Sequence, residues 1–159
     1  MSIDPKEFRR ILGHFPTGVT VITAAPDGKP VGLTIGSFTS VSLEPPLVGF
    51  LPGKNSASWP EIERHGSFCV NILSIEQPEL VWRFAKEGDD RFDGVAWRPA
   101  GSGAPILEGV HAWIDCDVHD VIEAGDHWFV LGRVRELDAG DGESTPILFH
   151  KGKLGGFQA

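Results

Sequence analysis

Val110-His111-Ala112-Trp113-Ile114-Asp115-Cys116-Asp117-Val118-His119 is the stretch that decides the fold. Val110, Ala112, Ile114, Cys116 and Val118 occupy every second place, with His111, Trp113, Asp115, Asp117 and His119 between them. Successive side chains of a strand point to opposite faces, so a period of two predicts a long, half-buried strand. The pattern slips at Asp120-Val121, where a bulge is expected. Ala124-Gly125-Asp126 turns the chain, and His127 to Leu137 returns as a strand.

Upstream the same grammar repeats. Gly18 to Ala25 is β-rich, Pro26-Asp27-Gly28-Lys29 is a turn, and Pro30 to Ser37 is extended again, which makes a hairpin. Thr39 to Leu43 and Leu47 to Leu51 read as strands separated by Glu44-Pro45-Pro46, and Ser67 to Leu73 as another. Three short helices punctuate them. Asp4-Pro5-Lys6-Glu7 opens the first, with Asp4 as N-cap and Glu7 closing a capping box. Its apolar face of Phe8, Ile11, Leu12 and Phe15 predicts packing, and it stops by Phe15, ahead of Pro16. Ser58-Trp59-Pro60-Glu61 opens the second, which Gly66 ends; Ser74 to Ala85, with Gln77 in its box, is the third. Lys86 to Asp93 reads as a charged loop and Gly101 to Pro105 as a flexible connection. About seven strands with a few short helices predict a mainly β, antiparallel barrel formed by one domain over residues 1–159.

Composition narrows the function. A net charge of −8 argues against nucleic acid, whose phosphates need clustered Lys and Arg, and against anionic membrane surfaces. No apolar run reaches the length of a membrane span, and Met1-Ser2-Ile3-Asp4-Pro5 lacks the basic and apolar stretches of a signal peptide, so a cytoplasmic location is expected. Cys69 and Cys116 sit in strand-like runs without a CxxC pair and read as reduced, buried thiols. No GxSxG or GxxxxGK[ST] motif is present, and Gly152-Lys153-Leu154-Gly155-Gly156 lacks the helix and acidic residue of a dinucleotide fingerprint. His111 and His119 read as part of a polar face, so no metal is expected.

Hydroxyls are dense around Gly36: Thr34, Ser37, Thr39, Ser40 and Ser42. Neutral donors beside backbone N–H groups left open by a glycine suit the polar edge of a heterocycle; an edge strand rich in Thr and Ser is the structural alternative. His127, at the start of a strand after a turn, is placed to offer a polar ring at a barrel mouth.

Order adds what single motifs do not. Phe15-Pro16-Thr17-Gly18-Val19, Gly32 to Val48, Lys54-Asn55-Ser56, Phe68 to Leu73, Asp90-Arg91-Phe92, Gly125-Asp126-His127 and Phe149-His150-Lys151-Gly152 follow one another along the chain. This series resembles the flavin reductase-like family, short reductases that supply reduced flavin to separate monooxygenases, and the likeness runs from about Phe8 to Phe157. The resemblance implies an FMN-binding split barrel, a homodimer with flavin sites near the subunit interface, and a separate monooxygenase as recipient. It implies that Thr34, Gly36, Ser37 and Phe38 approach the flavin, that Ser40 and Val41 hold its polar edge, and that Lys54, Asn55 and Ser56 meet its ribityl-phosphate end. Arg91 and Phe92 match a pair that lies at the flavin, and His127 matches the residue on the nicotinamide side. Many relatives carry Tyr, an aromatic contact to the nucleotide, where this chain has Leu154, and Phe157 is the substitute that this sequence offers.

The reaction so implied is NAD(P)H (NADH or NADPH) plus oxidised flavin (FMN or FAD) plus a proton, giving NAD(P)+ and reduced flavin. Hydride transfer between two bound rings needs positioning and no strong acid or nucleophile. Two alternatives share the barrel: an oxidoreductase that keeps its FMN and reduces another substrate, and a non-catalytic flavin- or haem-binding module.

Overall fold

Turn residues and apolar spacing divide the chain, in a computed structural model that describes residues 2–140 and 144–159, into three helices and twelve strands. In order these are α1 (Pro5–Leu12), β1 (Thr17–Gly18), β2 (Thr20–Ala24), β3 (Val31–Ile35), β4 (Thr39–Leu43), β5 (Pro46–Phe50), α2 (Ser58–His65), β6 (Ser67–Ile72) and α3 (Pro78–Ala85). Then come β7 (Trp97–Pro99), β8 (Pro105–Leu107), β9 (Ala112–Ala124), β10 (His127–Ala139), β11 (Ile147–His150) and β12 (Lys153–Gly156). All pairings are antiparallel: a seven-stranded sheet β3-β2-β6-β9-β10-β5-β4, a three-stranded sheet β1-β11-β12 and the β7-β8 hairpin. The mainly β, antiparallel reading therefore holds. The largest sheet gathers its inner core from six of its strands: Ile22, Leu33, Val48, Phe68, Cys116 and Val130 share one cluster. Trp59 and Ile62 of α2 join that cluster.

The central strands are buried on both faces. On β2, Ile22 and Ala24 enter the inner cluster while Val21 enters an outer one built with α3, β8 and Ile147. That second layer corrects the half-buried reading of the deciding stretch. Trp113 is only 5% exposed and Asp115 fully buried, because α3 and the β7-β8 hairpin cover the face that alternation assigned to solvent. The bulge falls at His119, which has no partner between the pairs Asp120–Leu131 and Val118–Gly132, one residue before its expected place.

Gly101 to Pro105 is likewise no loose connection. Ser102 donates its backbone N–H and its hydroxyl to the two oxygens of Asp115, at 2.9 and 2.6 Å. Asn71 ties three strands together: its amide donates to the carbonyls of Val21 and Pro105 and to Thr23 Oγ1, and its oxygen accepts from Leu107 N–H. Buried polar groups survive in a core only when so satisfied. The two thiols are free and buried, and burial pushes that of Cys116 up to about 12 and that of Cys69 higher still.

The sequence reading of the helices needs four corrections, the first being that α3 begins at Pro78 and not at Ser74. Asp4 caps α1 by accepting from Lys6 N–H, but Glu7 bonds Arg10 instead of closing a box. Ser58 does not cap α2; Ser56 does, accepting from Trp59 N–H, while Gly66 ends the helix at φ 87°. Most consequentially, the apolar face of α1 joins neither core cluster: Phe8, Ile11, Leu12 and Phe15 are 51–74% exposed. No helix is long and apolar enough to cross a membrane among the described residues.

Candidate active site

The barrel mouth is organised by the exit of β5. Ser37, in the short connection from β3 to β4, accepts from Leu51 N–H at 3.0 Å and donates to Leu51 C=O, which fixes the neighbouring Gly36 at the surface. Phe38 packs partly against the inner core. Beyond Leu51 the chain lies along the start of β10: Trp128 N–H donates to Pro52 C=O, Lys54 N–H to Asp126 C=O, and Gly53 bridges His127. Residues distant in sequence, Gly36, Leu51 to Ser56 and His127, are thereby laid side by side.

Gly53 lies between Asn55 and His127. A Cβ there would come within 2.8 Å of Asn55 Oδ1 and 3.8 Å of His127 Nε2, so only a glycine lets the Asn55 amide come this close to the backbone beside His127. His127 is half-exposed, and its Nδ1 lies 2.7 Å from Asp126 Oδ1. A carboxylate only accepts, so Nδ1 carries the proton and Nε2 faces the Gly53 side. The same bond holds the Asp126 carboxyl below its ordinary range. Lys54 Nζ bonds Glu123 at 2.6 Å and stands over the Trp128 ring, and its proximity likewise lowers the Glu123 carboxyl.

On β4, Ser40 and Val41 are exposed, and Val41 is the bulged residue between the pairs Ser40–Val48 and Ser42–Leu47. A Cβ on Gly49 would touch both Val41 and Phe129, so these two close over β5. Thr34 is committed elsewhere: its hydroxyl donates to Val81 C=O at 2.7 Å, tying β3 to α3. Ser56 keeps its hydroxyl hydrogen free for an acceptor, since its oxygen takes the bond from Trp59.

Arg91 joins this region through the buried Ser58, whose hydroxyl it meets at 2.8 Å, while its other donors hold the carbonyls of Phe84, Lys86 and Gly88. Phe92 is not brought to the mouth. Its ring packs edge-on against Phe84 at 4.9 Å and Trp97 at 6.5 Å in the outer core. Leu154 also packs against that core, whereas Phe157 is exposed. The sequence reading missed Asp126 as the partner of His127, although adjacency was the available clue. It also missed Glu123, which nothing local connects to Lys54.

Known proteins match this arrangement along its length. The family described as "Flavin reductase like domain" matches residues 12–158. A flavin reductase of Pseudomonas putida is 55% identical over 159 residues, covering 99% of this chain and 93% of its own. The reductase subunit HsaB of a flavin-dependent monooxygenase from Rhodococcus jostii (strain RHA1) is 48% identical, covering 99% of this chain and 80% of its own. Among solved structures, nitrilotriacetate monooxygenase component B from Mycobacterium thermoresistibile superposes with a TM-score of 0.93 at 47% identity, covering 96% of this chain and 86% of that one. With a family match over nearly its whole length and relatives this close, the chain belongs to the flavin reductase-like family.

Proposed function

We propose that flavin and nicotinamide meet on the surface running from Gly36–Val41 across Leu51–Ser56 to His127. The chain is an NAD(P)H-dependent flavin reductase of the kind that supplies reduced flavin to a separate monooxygenase. Hydride passes from nicotinamide C4 to flavin N5, and a proton from solvent completes the reduced flavin. The observation that carries the site is the convergence of Asn55 and His127 on Gly53, a polar cradle beside the exposed backbone of Gly36.

The residues present fit a flavin with a phosphate end. Ser40 offers an exposed hydroxyl to the polar edge of the ring, Gly36 offers backbone without a side chain, and Val41 offers an apolar contact. Ser56, Asn55 and Lys54 stand at the start of α2, where an anion finds a hydroxyl hydrogen, an amide and a positive charge that it would share with Glu123. Thr34, Ser37 and Arg91 act through the shape they impose, since each is bonded to the chain's own carbonyls. Phe92 supports this wall from behind through Phe84. Nε2 of His127 then faces the nicotinamide, with Asp126 fixing the ring's tautomer and angle.

FMN is sufficient for these contacts, and either nicotinamide nucleotide serves the ring chemistry. The exposed apolar face of α1 supports a homodimer, and two unpaired thiols are in keeping with a cytoplasmic protein. Purified protein mixed with NADH or NADPH, with and without added FMN or FAD, tests the whole reading. Nucleotide oxidation that depends on added flavin is expected. Absence of oxidation with every pair, or flavin that stays bound through turnover, would overturn it.

A further inference from the structure

A second concavity lies outside the surface assigned above. It is a groove of about 680 Å³ between α1 and the turn joining β11 to β12, lined by Arg9, Arg10, His14, Phe149 and Lys151. Four basic or potentially basic side chains around one groove are notable in a chain of net charge −8. Arg10 is paired with Glu7, but Arg9 and Lys151 have no acidic partner among the described residues. The groove is built, not incidental: Lys151 N–H donates to Gly13 C=O at 2.9 Å, fastening the turn to the helix end. His14 Nδ1 lies 3.0 Å from Arg10 C=O, which fixes its ring as a wall. Phe149 leaves part of its ring exposed beside the charges.

The groove also neighbours the flavin surface. Phe149 pairs with Thr17 across β1 and β11, and a Cβ on Gly36 would lie 3.3 Å from Thr17 Oγ1. A ligand whose ring lay against Gly36 could therefore extend a charged tail over Thr17 into the groove. Cations beside an aromatic ring recognise phosphate joined to a flat heterocycle.

We propose that this groove binds the adenosine diphosphate tail of a dinucleotide, with Arg9 and Lys151 on the phosphates and Phe149 against the adenine. The proposal rests on the flavin reductase reading, because NAD(P)H and FAD are the two reactants that carry such a tail. FMN and reduced nicotinamide mononucleotide carry the reacting rings without it.

Isothermal calorimetry with ADP as probe measures the groove apart from the reaction. The double substitution Arg9→Glu and Lys151→Glu should weaken ADP about tenfold or more at low salt, whereas Lys29→Glu with Lys86→Glu, the same change in net charge away from the groove, should leave it near the parent value. Lack of ADP binding by the parent, or equal losses in both double variants, would overturn the site. Two ratios then identify the tail: KM for NADH against KM for reduced nicotinamide mononucleotide, and Kd for FAD against Kd for FMN. A rise in the first assigns the groove to the nicotinamide donor and a rise in the second to the flavin. If ADP weakens and neither ratio moves, the dinucleotide assignment is wrong. Failure of the parent to turn over FMN with any donor strikes the flavin reductase reading itself, and the calorimetry stands apart from it.

Discussion

His127 shows what a single residue discloses. Its place after a turn, at the head of a strand, was visible in the sequence, and the resemblance supplied a role. Its working geometry was not visible, because Nε2 is aimed by a bond to Asp126 and by the approach of Gly53 from a segment more than seventy positions earlier. An oriented contact to nicotinamide is made more fully as the rings align, so His127→Ala should raise KM for NAD(P)H and lower the hydride-transfer rate, together by about tenfold or more. FMN affinity should stay within a few-fold. Stopped-flow reduction of bound flavin measures this directly, and unchanged traces would return His127 to a solvent-facing turn. Ser56 gives a companion test. Its free hydroxyl hydrogen would bond a phosphate, worth about 1.5–3 kcal/mol for a charged acceptor, so Ser56→Ala should weaken FMN at least tenfold while sparing riboflavin. The substitution also removes the cap on Trp59 N–H, and riboflavin titration controls for that loss. Equal weakening of both ligands would take Ser56 out of the phosphate site.

Elements were legible in proportion to how locally they are held. The β2-β3 and β9-β10 hairpins announce themselves through turn residues and alternation, and both form where expected. The β7-β8 hairpin was missed. Its strands are three residues long and interrupted by Pro99 and Pro105, and Gly101-Ser102-Gly103 reads as a linker. What holds it arrives from far along the chain: Asn71 on β6, Thr23 on β2 and Asp115 on β9 all bond into it. Asp115→Ala should therefore destabilise the fold by about 2–4 kcal/mol, since two Ser102 donors lose a buried carboxylate. Denaturant unfolding should show that loss with FMN affinity in the folded fraction little changed. A cost below about 1 kcal/mol would mean that water replaces the carboxylate at no penalty. Gly132 offers the opposite case, a site where atoms cannot be added. A Cβ there collides with the Phe68 ring at the heart of the inner core, so Gly132→Ala should cost about 1–3 kcal/mol by overpacking. Unaltered thermal unfolding would show that the ring has room to move.

At the scale of the whole molecule, the helix that the sequence marked as packing leaves each of its large apolar side chains half or more exposed. The helical period puts Arg10 on the side of α1 opposite Phe8, Ile11 and Leu12, with Arg9 at its flank, and this basic side is the one that lines the groove against the β11-β12 turn. The amphipathic pattern was thus read correctly and its direction was not, because nothing in one chain's periodicity says whether the covering surface belongs to that chain. Ile3, Phe8, Ile11, Leu12 and Phe15 together form an exposed apolar face of the kind that marks a protein interface. A second copy is the occupant that fits the homodimer proposed above. Trp113, buried within the outer core, has no part in such a contact. Two charges placed in the face, Phe8→Glu with Ile11→Glu, should shift the protein to a monomer at micromolar concentration in light scattering. Those side chains touch little within the protomer, so circular dichroism should report an intact β-sheet. A dimer that persists with both glutamates present would place the interface on another surface of the barrel, and a monomer in the parent protein would remove the dimer from the reading altogether.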